Sequence, residues 1–112
     1  MNTSSIARHR RVIGEQAKIF KALGHPSRLL MVEALRDGEK CVCELRALVG
    51  DDMSTISRHL AVLREAGVVT WEKRGTSIYY GLKLACLGRF LECTAQAVAQ
   101  RATEQLDMLA ER

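Results

Sequence analysis

Long apolar runs are missing from this chain of 112 residues, although 47% of its residues are hydrophobic. No stretch approaches the roughly 20 consecutive apolar residues that a helix needs to cross a bilayer, so we expect no membrane span. The first residues, MNTSSIARHRRVIG, lack an apolar block followed by a cleavage site of small residues, and so do not form a secretory signal. We therefore expect a cytoplasmic protein.

Internal repeats and low-complexity tracts are also absent from the sequence. A chain of this length is sufficient for one compact domain and too short for two of ordinary size. We therefore predict a single domain over residues 1–112. Its formal net charge of +4 favours an anionic partner.

Four cysteines occur in the chain, and they are unevenly placed. Cys41 and Cys43 are one residue apart, whereas Cys86 and Cys93 lie far downstream. A stable disulfide framework is not expected in a reducing cytoplasm. The four side chains are more naturally free thiols, metal ligands or redox switches.

Apolar residues recur at helical spacing in five segments, which predicts helices over about residues 6–23, 26–36, 41–48, 53–66 and 86–111. Terminal signals support these helices. Pro26, the only proline, suits the first turn of the second helix, because its missing N–H would be unpaired there anyway. Asp52 is a good N-cap for the fourth helix, and Gly67 suits its end.

The period changes after the fourth helix, in the segment VVTWEKRGTSIYYGLKL over residues 68–84. β-Branched and aromatic residues lie on both sides of KRGT, which is typical of a β-hairpin. The predicted fold is therefore mainly α with a two-stranded β-hairpin wing. Four helices, two strands and a last helix in this order describe a winged helix-turn-helix.

The last segment carries an apolar stripe that advances in steps of three and four residues. Its members are Leu87, Leu91, Ala95, Val98, Ala102, Leu106 and Leu109. So long a stripe on so small a domain needs a partner, and a second copy of the chain is the economical one. The first and last helices would then form the interface of a homodimer. The alternative is that the stripe folds onto its own domain.

Four stretches together match a known pattern in order and spacing: ALGHPSRLLMVEAL, CVCEL, STISRHLAVLREAGVV and KRGTSIYYGL. Over nearly its whole length the chain resembles the ArsR/SmtB family of dimeric transcriptional repressors. The resemblance implies a repressor that binds double-stranded DNA at a pseudo-palindromic operator. It also implies release from that operator when an inducer, often a metal or metalloid, is bound.

The residues favour DNA binding independently of this resemblance. Short hydroxyls and longer donors of the kinds that reach phosphates and base edges cluster early in the fourth helix. They are Ser54, Thr55, Ser57, Arg58 and His59. Arg58 is the best candidate for base reading, and Lys73 and Arg74 would bring the wing to the flanking backbone. The alternative is that serines and threonines simply begin helices and that Arg58 is a solvated charge.

Whether Cys41 and Cys43 can bind one ion together depends on where the third helix begins. Residues i and i+2 of a helix point about 200° apart, so Cys41 and Cys43 can share a ligand only if Cys41 lies at or before the helix start. A thiol there has its thiolate stabilised by unpaired N–H groups. Two thiolates would select As(III), Sb(III), Cd(II), Pb(II) or Zn(II) over hard cations. The alternative is packing, although Lys40 and Glu44 favour an exposed edge.

Family members that bind arsenite or cadmium carry the same Cys-Val-Cys run, so the resemblance implies Cys41 and Cys43 as ligands. It does not supply a third ligand. One arsenic-sensing pattern has a third cysteine where this chain has Arg46, and another takes cysteines from an N-terminal arm that offers only His9 here. The positions of the zinc-sensing site in the last helix are occupied by Leu84, Cys86, Ala97 and Gln100, so that site is absent.

Cys86 and Cys93 remain as candidate ligands from the last helix. They lie on one flank of that helix, but two turns rise roughly 10 Å, so one ion does not bind both without distortion. Either could complete a three-thiolate site with Cys41 and Cys43, or join a site across the dimer. Packing is the alternative, because free cysteine is often buried and Phe90 lies between them.

The sequence therefore predicts a repressor that is released by a thiophilic metalloid or metal, with As(III) first. The alternative is a thiol-based redox or reactive-sulfur sensor of the same fold. Members of that kind pair a thiol of the second helix with one of the last, and this second helix has Glu33 and no cysteine. An enzyme is not expected, because the Cys-x-Cys pair lacks a βαβ setting and a base at a plausible spacing.

Overall fold

The computed structural model describes residues 2–110, which form five helices and three strands. In chain order these are α1 (Thr3–Leu23), α2 (Pro26–Leu35), β1 (Lys40–Cys41), α3 (Val42–Val49), α4 (Met53–Glu65), β2 (Val69–Arg74), β3 (Ser77–Leu82) and α5 (Leu87–Ala110). The predicted winged helix-turn-helix is confirmed, with helix ends within a few residues of those expected. The predicted extension of the last helix to residue 111 falls outside the described residues.

The wing differs from the prediction in having a third strand. Strand β1 is two residues long and pairs antiparallel with β3, so that Lys40 lies opposite Tyr80 and Cys41 lies opposite Tyr79. The order across the sheet is β1-β3-β2. Two residues are too few to show the alternation by which a strand is recognised, so the sequence did not indicate β1. The wing is therefore tied directly to the residues that start α3.

The helix ends follow the local sequence signals. Pro26 occupies the first turn of α2, as predicted. Gly50 ends α3 with φ at 88°, a left-handed conformation that glycine adopts without a steric penalty. Asp52 is the N-cap of α4 and accepts a hydrogen bond from the N–H of Thr55. The α3–α4 connection is therefore short and locally determined.

The core lies between α2, α3, α4 and the sheet. Ile56, Leu60 and Leu63 face it from α4, about one helical turn apart, and each is at most 1% exposed. The other side chains that are almost fully buried are Met31, Val32, Leu45 and Val68. Burial of these groups is the main force that fixes α4 in the domain and leaves its opposite face to the solvent.

Helices α1 and α5 leave most of their apolar side chains uncovered. Leu87 is the only residue of α5 that is buried among the described residues, while Val98 is 71% exposed and Leu106 is 66% exposed. Phe20 of α1 contacts Phe90 edge to face, with 5.7 Å between ring centroids. Leu87 and Leu91 of the stripe pack on the core, whereas its remaining members are exposed in the single chain. None of the helices within residues 2–110 combines the length and apolar character that crossing a membrane requires.

Candidate DNA-binding surface and thiol pair

The first turn of α4 is held by Asp52. Its carboxylate accepts hydrogen bonds from the Ser54 hydroxyl at 3.0 Å and from the Thr55 N–H at 3.1 Å. The pKa of Asp52 lies below its ordinary value because of the Thr55 side chain first, and then because of the Ser54 hydroxyl and the Thr55 N–H. A serine hydroxyl has one proton, so Ser54 must release Asp52 before it can donate to a phosphate.

Ser57 and Arg58 lie on the exposed face of α4. No ion pair among the described residues involves Arg58. The buried face of the same helix is packed on the core, so the Arg58 side chain projects from a firmly held backbone. An arginine placed in this way can present two parallel N–H groups to a guanine edge or to a phosphate.

His59 lies against the start of α2 instead. Its ring centroid is 4.4 Å from that of His25, and its Nδ1 is 3.3 Å from a terminal nitrogen of Arg28. Burial, followed by the charges of His25 and Arg28, lowers the pKa of His59. The lowered pKa favours the neutral imidazole in the free chain. Sequence reasoning placed His59 beside Arg58 at DNA. In the structure His59 is half-buried and Arg58 is exposed, and a DNA contact of His59 stays a prediction.

Arg28 is a residue that sequence reasoning missed. Besides its contact with His59, its guanidinium donates hydrogen bonds to the carbonyl oxygens of Ala22 and Lys21 at the end of α1. It thus joins the end of α1 and the start of α2 to α4, the helix in the position of the recognition helix of a helix-turn-helix. The signal that could have identified it is the run HPSR, in which a helix start is followed at once by an arginine.

The two basic residues of the wing differ in their surroundings. Both Lys73 and Arg74 are exposed, next to the turn at Gly75. Arg74 forms ion pairs with Glu39 at 2.8 Å and with Glu72 at 2.7 Å. Hydrogen bonds to Glu39 first and Glu72 second raise the pKa of Arg74. No ion pair in residues 2–110 involves Lys73, so only Arg74 is already bound to carboxylates.

Cys41 is the N-cap of α3. Its sulfur accepts the N–H of Glu44 at 3.4 Å, and the Glu44 carboxylate accepts the N–H of Cys41 at 3.2 Å, which together form a capping box. Cys43 lies in the first turn of the helix. The structure joins the two sulfurs as a disulfide, with 5.4 Å between the Cα atoms. The expected position of Cys41 at the helix start, with its sulfur within reach of that of Cys43, is thus observed.

The expectation that Cys41 lies at an exposed edge is wrong. Cys41 is 7% exposed, because pairing of β1 with β3 covers it, whereas Cys43 is exposed. Access to the thiol pair is therefore from the side of Cys43. That side opens into a shallow depression at the α3–α4 connection, lined by Arg46, Ala47, Gly50, Asp51, Asp52 and Met53.

Cys86 and Cys93 are both exposed, so neither packs in the core of the chain. Phe90 between them is also exposed, at 42%, so the alternative that they pack in a core is not supported in the single chain. Within residues 2–110, no group of three or more His, Cys, Asp or Glu side chains is placed to hold a metal ion. One chain therefore does not bring a distal cysteine to the Cys41–Cys43 pair, and ligation across a dimer stays a prediction.

The helix-turn-helix segment also matches known proteins. A sequence profile described as "Bacterial regulatory protein, arsR family" matches residues 25–70, from the N-cap of α2 into β2. An uncharacterized HTH-type transcriptional regulator of Methanocaldococcus jannaschii is 42% identical over 65 residues, which are 57% of this chain and 73% of that protein. The chain belongs to the ArsR family.

Two further similarities bear on this ArsR-family chain. An arsenic resistance transcriptional regulator of Pseudomonas putida is 41% identical over 75 residues, which are 66% of this chain and 59% of that protein. A homodimeric winged helix-turn-helix DNA-binding domain of Mycobacterium bovis, a possible ArsR-family regulator, has a TM-score of 0.73 at 28% identity. The similarity covers 88% of this chain and 90% of that domain.

Curated relatives are matched over about half to three quarters of their own length. The family to which they belong consists of DNA-binding transcriptional regulators. Membership in the ArsR family confirms the resemblance found in the sequence. The prediction that the chain is not an enzyme agrees with this family of DNA-binding regulators.

Proposed function

We propose that the chain is a homodimeric, cytoplasmic repressor that leaves its operator when Cys41 and Cys43 capture a thiophilic metalloid or metal, As(III) in the first place. One observation carries the proposal: the two sulfurs are adjacent at the start of α3, the helix directly before the recognition helix. The similarity to a regulator that is named for arsenic resistance supports As(III) as the inducer.

The chemistry of the pair suits soft ions. Thiolates bind As(III), Sb(III), Cd(II), Pb(II) and Zn(II), whereas hard cations prefer oxygen ligands. The Glu44 N–H donates to the Cys41 sulfur at the start of α3, and in the reduced protein this contact favours negative charge on that sulfur. Cys86 or Cys93 of the partner subunit is a candidate third ligand.

The DNA side of the proposal rests on α4 and the wing. In this fold the recognition helix enters the major groove, and the two helices of a dimer reach half-sites one helical turn or a multiple of it apart. Ser57 and Arg58 lie on the exposed face of α4 and are the residues that we place at base edges. Lys73 is the residue that we place at the flanking phosphates.

Coupling between the two sites follows from the short α3–α4 connection. Capture of an ion fixes the start of α3, and Gly50 and Asp52 transmit a rotation of that helix to the first turn of α4. The ion must bind the DNA-free dimer more tightly than the DNA-bound dimer, because a ligand changes an equilibrium only through its different affinity for the two states. Operator DNA must then weaken ion binding by the same factor.

A second candidate function is thiol-based redox or reactive-sulfur sensing. The observation that favours it is the Cys41–Cys43 disulfide itself. Oxidation would then join two thiols at the start of α3, in place of the pairing between the second and last helices that other redox-sensing members use. Such a repressor would respond to an oxidant without any metal.

A titration of the reduced protein separates these functions. The inducers As(III), Sb(III), Cd(II) and Zn(II) are added singly, and sulfur-to-metal absorption is followed together with release of a fluorescent duplex of the protein's own promoter. We expect As(III) to give both signals. A parallel sample receives hydrogen peroxide and then dithiothreitol, and release by peroxide alone would favour the redox function over metalloid sensing.

Replacement of Arg58 by alanine tests the DNA side. A bidentate base contact is worth about 1–3 kcal/mol, so operator affinity should fall roughly fivefold or more while affinity for random duplex changes little. The matched control is Lys73→Ala, which should weaken binding to both duplexes equally, because a phosphate contact carries no sequence information. An equal loss on both duplexes in Arg58→Ala would make Arg58 a phosphate contact instead.

A further inference from the structure

Glu39 connects the thiol pair with the wing. It lies immediately before β1, two residues from Cys41, and its carboxylate forms the 2.8 Å ion pair with Arg74 at the far end of β2. The Arg74 guanidinium also lies over the ring of Tyr79, 4.9 Å from its centroid. Tyr79 is in turn the strand partner of Cys41. Cys41 is thus connected to Arg74 in two ways, through its strand partner Tyr79 and through Glu39 two residues before it.

The position of Glu39 is supported by the sheet beneath it. Gly81 lies opposite Thr70 in the β2–β3 pair, and a Cβ at position 81 would be 2.9 Å from the Thr70 hydroxyl and 3.4 Å from Cγ of Glu39. The missing side chain therefore leaves room for Glu39 to cross the sheet towards Arg74. This is a close approach of the kind for which a strand glycine is used.

We propose that Glu39 is a positioning residue of the wing, which holds Arg74 away from DNA and links the state of the Cys41–Cys43 pair to the wing. The link to the thiol pair rests on the sensing function proposed above. The competition between Glu39 and DNA for Arg74 does not depend on it.

The competition follows from charge. Arg74 carries one positive charge and two carboxylates contact it, so the group has a net charge of −1 and repels a phosphate. A phosphate can bind Arg74 only if a carboxylate releases it. Glu72 is a neighbour of Arg74 on the same strand and moves with the wing, whereas Glu39 belongs to the segment that leads into Cys41. Release of Glu39 therefore frees the Arg74 side chain from the segment that precedes Cys41, while the pairing of β1 with β3 is kept.

Capture of an ion by Cys41 and Cys43 would fix that segment and with it Glu39. The ion would then favour the state in which Arg74 is held, and DNA would favour the state in which Arg74 is free. This gives the inducer a second route to the DNA, through β1 and the wing, besides the route through the α3–α4 connection. Both routes begin at Cys41.

The test compares Glu39→Gln with the wild-type protein in the reduced, ion-free state. Affinity is measured for the promoter duplex and for a random duplex, because a phosphate contact acts on both. We expect Glu39→Gln to bind both duplexes roughly threefold to tenfold more tightly, since an exposed ion pair is weak but occurs in each subunit of a dimer. We also expect As(III) to release Glu39→Gln less completely than the wild-type protein.

Two controls make the result specific. Glu65→Gln removes the same charge from an exposed residue of α4 that is in no ion pair among the described residues, and it should change affinity much less. In an Arg74→Gln background, Glu39→Gln should have no effect, because the group for which Glu39 competes is gone.

Three results would overturn the proposal. They are a gain in Glu39→Gln no larger than that in Glu65→Gln, a gain that persists without Arg74, and unchanged release by As(III). Operator binding and As(III) release of the wild-type protein, measured in the same assay, report separately on the proposed function. If Glu39→Gln gives none of the expected changes while the wild-type protein binds the operator and is released by As(III), the result contradicts the role of Glu39 and leaves the proposed function intact.

Discussion

Cys41→Ser and Cys43→Ser are each expected to bind the operator as the wild-type protein does and to lose release by As(III). Serine keeps the size of the side chain, and at position 41 its hydroxyl is a strong helix N-cap, so α3 and the fold should be preserved. Serine does not offer a thiolate to a soft ion. Coupling between two ligand sites typically changes an affinity 5-fold to 150-fold. We therefore expect As(III) to weaken operator binding of the wild-type protein by a factor in this range, and to leave the operator affinity of each variant unchanged.

The measurement is operator affinity with and without As(III), by fluorescence anisotropy under reducing conditions. Cys86→Ser and Cys93→Ser are the matched controls, since both residues are exposed cysteines outside the pair. If one of them also loses release, that thiol is the third ligand. Normal release in the Cys41/Cys43 double variant would contradict the mechanism and place the sensor on α5.

Val98→Asp and Leu106→Asp are expected to give monomers that bind the operator poorly. Both side chains lie on the apolar stripe of α5 and are largely exposed in the single chain, which is the arrangement expected of a surface that a second copy covers. An unpaired carboxylate in such an interface costs several kcal/mol, and two-fold symmetry introduces it twice. A monomer presents one recognition helix, so it loses the second half-site.

Sedimentation equilibrium at micromolar concentration measures the assembly, and operator affinity measures the consequence. Gln100→Asp introduces the same charge on α5 away from the stripe and should leave the dimer intact. Far-ultraviolet circular dichroism of each variant separates a folded monomer from an unfolded chain. A wild-type protein that is a folded monomer at these concentrations would contradict the prediction.

The two sets of variants address different steps. Cysteine variants should leave the DNA-binding dimer intact and remove its response, whereas the α5 variants should remove the dimer and with it both operator binding and response. Reciprocity adds an internal check, because operator DNA must weaken As(III) binding by the factor with which As(III) weakens operator binding. Unequal factors would mean that the two ligands do not act on one equilibrium.

Local sequence signals determined the elements of this chain. Pro26, Gly50 and Asp52 lie at helix ends in the structure because each relieves the unpaired backbone groups or unusual dihedral angles that a helix end creates. Ile56 and Leu60 are buried because their spacing matches the helical period. The predicted extent of the third helix also placed Cys41 at its start, where the structure has it as the N-cap. All of these depend on residues within one or two turns of each other.

Contacts between distant residues were decided only by the tertiary structure. β1 is too short to carry a period, and its pairing with β3 buries Cys41, which the neighbouring charges had suggested to be exposed. Glu39 and Arg74 meet across the sheet. His59 contacts His25 of α2, a pairing that its neighbours in the sequence did not indicate. Local composition does not indicate which distant groups come together, because packing of the core brings α2, α3 and the sheet around α4.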